Sequence, residues 1–300
     1  MTEELNKQIL DLINDDNYDK IDLTKVIELI EQGGDVNIRN DIGESAIFIA
    51  ISTKRLDLVE NLIELGADLS KQNHYEQTAL HVALDEDDND VALDEERNDI
   101  ALAIAMAEKD INNLTNNEGE TPVWIALYRG FFDVVDILLD KGVDVNVGKK
   151  DIVANAVLSG NTEMVAGVIA AGGDVNERSD NYTPIYYALN DEFGDDNSIK
   201  IAALLLLYQA DISDIDIDDE NLIKAQNVLK LAMQEYKQAL GSSSLDDLKK
   251  MSAEDMLTLC SYMKIDNETT IANNNMSMSV SNASAQQHVD EPQAKRAKYL

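Results

Sequence analysis

Four segments of this 300-residue chain repeat one another: VIELIEQGGDVN (26–37), LVENLIELGADLS (58–70), VVDILLDKGVDVN (134–146) and MVAGVIAAGGDVN (164–176). Each reads as a short apolar helix, then Gly, a small or apolar residue, Asp, Val or Leu, and Asn or Ser. Repetition of this kind constrains the fold more than any other feature, because one such unit cannot bury its apolar face alone and must stack on its neighbours. Gly33 and Gly66 lie 33 residues apart, Gly142 and Gly172 lie 30 apart. A helix commonly stops with one residue in the left-handed region, which glycine alone enters without penalty. The Asp-Val-Asn that follows leads out into an extended, turn-rich segment.

The other half of the unit is clearest in NNEGETPVWIALYRG (116–130). Gly119 permits a turn, Thr121 is placed to cap the next helix and Pro122 sits at its first position. Val123, Ile125, Ala126 and Leu127 give that helix its apolar body. Weaker copies are NDIGESAIFIAISTK (40–54), NHYEQTALHVAL (73–84) and DNYTPIYYAL (180–189).

These residues resemble the ankyrin repeat: a finger with Gly, then Thr-Pro-Leu-His-x-Ala, a second helix with Val-x-x-Leu-Leu, and Gly-Ala-Asp-Val-Asn. The match is near complete over 113–146, with Trp124 where the family carries histidine. Residues 38–70 use Ser45-Ala46-Ile47-Phe48 for the four-residue motif. Residues 71–112 keep Thr78, Leu80 and His81 but have Glu108 at the helix-ending position. Residues 147–176 lack the Thr-Pro, and 177–213 keep Thr183-Pro184 with Asn181 in place of the turn glycine. A degenerate unit over 1–37 would cap the N-terminal end. The resemblance implies an all-α ankyrin-repeat solenoid, built of helix pairs with short β-hairpin-like fingers.

Three units keep 16 residues between the first-helix alanine and the helix end (Ala50–Gly66, Ala126–Gly142, Ala156–Gly172), whereas Ala83 to Glu108 spans 25 and Ala188 to Gln209 spans 21. The extra residues, 85–99 and 190–197, are strongly acidic and are expected to loop out between paired helices. Asp85, Asp87, Asn89 and Glu96 also fall at positions 1, 3, 5 and 12 of an EF-hand-type calcium loop, but Asp90 occupies the place of its mandatory glycine. Solubilising loops are the plainer reading, and no metal or cofactor is expected.

The 58 acidic against 24 basic side chains leave a formal charge of −34. Such a surface disfavours nucleic acid and anionic membranes. The 44% hydrophobic content assigns that acidity to a folded surface. One cysteine, Cys260, excludes an intrachain disulfide and fits a reducing compartment. The start, MTEELNKQILDLINDD, lacks the pattern of a signal peptide, and a cytoplasmic location is expected. His74, His81 and His288 share no metal-ligand spacing with Cys260. His81 holds the motif position at which the family's histidine is structural. No nucleophile–base set or phosphate loop can be assembled, so the expectation is a non-enzymatic chain.

Beyond the repeats, 214–240 reads as a capping helix. Leu222, Ile223, Val228, Leu229 and Ala232 fall there at helical spacing, and acidic residues lie at its start. Residues 241–264 read as a linker and a small helical pair, whose Ser252 and Asp255 are spaced like a capping box. That pair either docks on the stack or enters a partner's groove. The tail, 265–300, is rich in Asn, Ser and Met and reads as disordered. Its Lys295, Arg296 and Lys298 fit either a short nuclear-import pattern or an incidental basic end.

The resemblance implies binding through a concave surface of fingers and exposed first-helix positions. Carried over by unit, the finger positions are Asp41, Ile42 and Glu44; His74, Tyr75 and Gln77; Asn117, Glu118 and Glu120; and Tyr182. The first-helix pairs are Ser52 and Thr53, Asp85 and Glu86, Tyr128 and Arg129, and Leu158 and Ser159. Tyr75, Tyr128, Arg129 and Tyr182 are the expected anchors, since aromatics and Arg dominate hot spots. The expected function is a monomeric scaffold for a protein partner with a basic or amphipathic surface. The alternative is an adaptor-type effector, similar to the acidic ankyrin arrays of intracellular bacteria, acting inside a host cell and reaching its nucleus.

Overall fold

A computed structural model of the chain describes residues 1–15, 17–85, 95–109, 114–149, 151–190, 196–216, 219–240 and 252–263. Met1–Lys264 forms one compact unit. The 265–300 tail, with Lys295, Arg296 and Lys298, lies outside the described residues, as do Glu86, Asp87 and Asn89 of the first acidic insertion.

Fourteen α-helices run through the described residues, and the only strand-like feature among them is an isolated bridge between Ser179 and Tyr182. They pair in sequence: α1 (Thr2–Ile13) with α2 (Leu23–Glu31), α3 (Ala46–Ser52) with α4 (Leu56–Glu64), and α5 (Ala79–Leu84) with α6 (Glu95–Ala107). α7 (Pro122–Arg129) follows with α8 (Phe132–Asp140), α9 (Ile152–Leu158) with α10 (Thr162–Ala170), and α11 (Pro184–Leu189) with α12 (Asp196–Leu207). The first helices α3, α5, α7, α9 and α11 pack in series, and so do the second helices α2, α4, α6, α8, α10 and α12. Both layers bury their apolar faces between them, with Ile47, Phe48, Leu62, Leu80, Ile104 and Leu127 fully enclosed.

The helix ends repeat at atomic detail. Gly33, Gly66, Gly142 and Gly172 all adopt positive φ, between 77° and 105°. In each case the glycine N–H and the next N–H turn back on the last helical carbonyls, as in Gly142 to Leu139 and Val143 to Leu138. Gln209 (φ 63°) closes α12 in the same way without glycine. The end of α6 is held by a side chain of the next unit: its last carbonyls, those of Ala105, Met106 and Glu108, accept from Lys141 Nζ at 2.6, 2.9 and 2.6 Å. A cation at a helix C-terminus satisfies orphan carbonyls and complements the dipole.

The acidic stretches 85–99 and 190–197 do not loop out whole, since α6 starts at Glu95 and α12 at Asp196. Glu95, Glu96 and Asp196 fall in first turns, where the helix dipole favours carboxylates. The insertions therefore lengthen the second helices to 13 and 12 residues, against nine in α4, α8 and α10.

Past the repeats, α13 (Glu220–Leu240) packs along α12, burying Leu222, Ala225, Val228 and Ala232 while Ile223 faces outward. α14 (Ala253–Ser261) opens with the expected capping box: Ser252 Oγ accepts from the Asp255 N–H at 3.1 Å and the Asp255 carboxylate accepts from the Ser252 N–H at 3.3 Å. It docks on α10, α12 and α13, burying Met256, Leu259, Cys260 and Met263. Of the two alternatives left open by the sequence, α14 takes the docked one; the preceding segment, 241–251, lies outside the described residues.

Candidate protein-interaction surface

Three of the fingers are tight turns, each held by one asparagine, while the Tyr182 finger closes through backbone bonds between Ser179 and Tyr182. Asn40, Asn73 and Asn116 accept at Oδ1 from the N–H groups two and four residues on: Ile42 and Glu44, Tyr75 and Gln77, Glu118 and Glu120. Asx side chains that mimic a turn in this way let the backbone reverse. The reversal needs a left-handed residue, supplied by Gly43, Glu76, Gly119 and Asn181. Fingers then join laterally through backbone bonds, from the N–H of His74 to Ile42 O, Asn117 to Tyr75 O, and Lys149 to Gly119 O. Gly148 is required at that last junction, since a Cβ there would meet Gly119 O at 2.5 Å.

This scaffold sorts the candidate residues. Five large apolar side chains project into solvent from the fingers and first helices: Ile42 (40% exposed), Tyr75 (55%), Tyr128 (62%), Leu158 (62%) and Tyr182 (42%). Asp41, His74, Asn117, Glu118, Ser52 and Arg129 are exposed beside them, and Thr53 and Ser159 are half-buried.

Other candidates are engaged internally. Glu44 is 6% exposed and its carboxylate accepts from the Tyr18 hydroxyl at 2.5 Å. Glu120 accepts from Lys149 Nζ at 2.6 Å and Asn116 Nδ2 at 3.0 Å. Burial opposes ionisation of Glu120, but the hydrogen bonds from Lys149 and Asn116, together with the charges of Lys149 and Arg129, hold the carboxyl below the usual range. Gln77 donates to Asp85 at 2.8 Å, and Asp85 also lies 3.9 Å from Arg129 and accepts at its carbonyl from Arg97. Glu96, the last candidate of the calcium pattern, sits in the first turn of α6. Among the described residues no group of three or more His, Cys, Asp or Glu could hold a metal ion.

Tyr18, Glu44, Ser52, Tyr75, Gln77, Val82, Asp85, Arg97, Asn117 and Glu118 line a depression of about 490 Å³. Beyond it, Trp124 stacks on Tyr128 with centroids 5.1 Å apart, and Lys149 Nζ lies 4.4 Å over the Trp124 ring. Trp124 Nε1 donates to Asp151 at 2.8 Å, and Asp151 accepts from Ser179 Oγ at 3.0 Å, at the base of the Tyr182 finger. Tyr182 stacks on Tyr186 at 4.0 Å, with Tyr187 edge-on to both. Side-chain contacts thus join Asp85 to Arg129, and Trp124 through Asp151 and Ser179 to the base of the Tyr182 finger. Sequence reasoning missed Tyr18, Lys141 and Asp151, whose roles depend on contacts across units. It also missed the turn asparagines, whose spacing of 33 between Asn40 and Asn73 could have found them.

His81 is fully buried. Its Nε2–H donates to the Glu120 carbonyl at 3.1 Å, and Nδ1 accepts from the Thr78 N–H at 3.2 Å. Burial pushes its pKa down to about 4, against the weaker raising effect of Glu120. Trp124, in the equivalent place one unit on, likewise donates to the following unit.

A family model for ankyrin repeats in three copies matches residues 17–93, and one for the ankyrin repeat matches 118–150. The chain is 26% identical over 245 residues to the nuclear factor NF-kappa-B p105 subunit of Gallus gallus, covering 76% of this chain and 23% of that protein. It is 28% identical over 199 residues to the NF-kappa-B inhibitor alpha of Gallus gallus, covering 62% and 59%. It is 24% identical over 158 residues to the B-cell lymphoma 3 protein homolog of Mus musculus, covering 51% and 34%. The chain thus spans less than a quarter of the first of these relatives and about six-tenths of the second. Among the described residues no helix is long and apolar enough to cross a membrane.

Proposed function

We propose, from the premise that this chain is an ankyrin-repeat protein, that it is a non-enzymatic scaffold whose finger face holds a protein partner. The observation that carries this reading is the row of Ile42, Tyr75, Tyr128, Leu158 and Tyr182, exposed along the fingers and first helices of an otherwise acidic molecule. Contiguous exposed apolar groups rimmed by polar ones mark interaction sites, and aromatic side chains supply most of the energy at such sites. The charge of −34 favours a partner with a basic or amphipathic surface, mainly by speeding and selecting encounter. The relative named as an inhibitor of NF-kappa-B supports a role exerted through another protein.

A photo-crosslinking residue placed at Tyr128 or Tyr75, against one at Met106, tests the face in the full chain. Met106 is also exposed (65%) but lies on a second helix. Protein adducts should form at Tyr75 and Tyr128 and not at Met106. Equal yields at all three positions would remove the reading.

The second reading, an effector or adaptor whose C-terminal region recruits host machinery or directs nuclear entry, is not favoured by α14, whose apolar residues are packed against α10, α12 and α13. Its other element, the basic pattern at 295–298, lies outside the described residues.

A further inference from the structure

The exposed row crosses two chemically different fields. Around Tyr75 the depression is walled by Glu44, Asp85 and Glu118, with Ser52, Gln77 and Asn117 between them. Asp41 and Glu76 stand exposed on the adjoining finger tips. Two guanidinium groups enter this field, Arg97 and Arg129, and both are turned onto Asp85. Glu118 makes hydrogen bonds through its backbone N–H, and its side chain is exposed.

From α7 onward the composition changes. Tyr128 lies against Trp124, Leu158 holds the equivalent position one unit later, and Tyr182 caps the Tyr186–Tyr187 pair. The charged groups facing this second field are largely committed. Lys149 is paired with Glu120 and covers Trp124, while Asp151 accepts from Trp124 and Ser179. Asp180 remains exposed, at the tip of the finger.

We propose that the face is polarised along the stack. One continuous segment of the protein partner lays basic residues over Tyr75, Asp85 and Glu118, and apolar residues over Tyr128, Leu158 and Tyr182. The proposal rests on the protein-binding reading above and adds the order of chemistry along the segment. A Lys or Arg in the first field meets the exposed Glu118 carboxylate and the face of Tyr75, with Asp41 and Glu76 on the adjoining finger tips and Asp85 shared with Arg129, so charge and cation–π attraction act at one place. In the second field an apolar side chain displaces water from exposed aromatic and leucine surface with few polar groups left unpaired. Because the first field stays hydrated at its rim, it should govern encounter and salt dependence, while the second governs residence.

Three peptides of equal length test this against the full chain by fluorescence anisotropy: a Lys-Arg block joined to a Leu-Phe block, an all Lys-Arg peptide, and a Glu-Asp block joined to the same Leu-Phe block. The first should bind at least tenfold more tightly than the other two. Asp85→Asn with Glu118→Gln should flatten its salt dependence. Tyr128→Ser with Leu158→Ser should weaken it at least tenfold while leaving the salt slope intact. Glu118→Lys, at an exposed side chain, serves as a single-site check should the first pair perturb folding, and should weaken the two-block peptide alone or most. Equal binding of the acidic two-block peptide, the same response from both variant pairs, or no binding by any peptide overturns the proposal. Crosslinking confined to Tyr75 and Tyr128 would still support the scaffold in each of those cases, so the two readings fail separately.

Discussion

At Gly142 the constraint is purely conformational. Nothing lies within 4 Å of an added Cβ, yet φ is +77°. Gly142→Val should cost about 1 kcal/mol or more in urea unfolding, through the backbone alone. Its neighbour Lys141 does work that the sequence did not announce, because the need arises one unit away, where α6 ends without glycine. Lys141→Met should cost on the order of 1–2 kcal/mol, since it strips three carbonyl contacts from a helix end. Lys25→Met removes an exposed ion pair with Glu28 and should leave stability nearly unchanged. Equal effects of the two substitutions would mean that Lys141 is not a cap. His81 supplies a pH signature. Its folded pKa, about 4, lies below the ordinary 6.5, so the unfolded chain binds the proton more readily. The stability held in the neutral ring is complete above pH 6.5 and drains away as pH falls toward 4. His81→Gln should flatten the stability profile in that window, as read by thermal melts between pH 4 and 7.

At the scale of elements, the repeat was readable because its signals are local. Glycine at a helix end, Thr-Pro at a helix start and apolar spacing all act within a few residues, and 113–146 shows every one of them. The positions of α6 and α12 were less readable. A run of acids looks like loop until the helix dipole is considered, and Glu95, Glu96 and Asp196 then become first-turn residues. The candidate face was half readable. Repeat register identified Tyr75 and Tyr182 on fingers and Tyr128 and Leu158 on first helices as surface positions, but could not separate exposed Glu118 from Glu44, whose partner Tyr18 lies 26 residues away. Docking of α14 was undecidable from a short amphipathic segment, yet α10 carried a clue. Met164, Val165, Ala166, Val168 and Ile169 are all buried, and a helix apolar around most of its circumference needs cover on more than one side. The fully buried Leu259 tests that cover: Leu259→Ala should cost about 2–4 kcal/mol. Truncation after Leu240 should expose apolar surface on α10 and α12 and raise binding of a hydrophobic dye. No change in dye binding would show that α14 is dispensable.

Across the whole molecule, stacked units share a charge problem. Each unit touches only its neighbours, so stability is close to a sum of unit and interface terms, whereas the repulsion among 58 acidic side chains is summed over the entire surface. Few cations offset it, and several of those are committed to structure: Lys141 to a helix end, Lys149 to Glu120 and Trp124, and Arg97 to the Asp85 carbonyl. Raising salt screens the long-range repulsion, with a Debye length of about 10 Å at 0.1 M, and disturbs short, partly buried pairs much less. The melting temperature should therefore rise between low salt and roughly 0.2 M sodium chloride. Binding of a basic segment to the Tyr75 field should weaken over the same range. The two trends have one origin and opposite sign, so a melting temperature that falls with salt would place the stabilising electrostatics in exposed pairs such as Arg55–Asp57 and Arg178–Asp214, and not in relief of the acidic field.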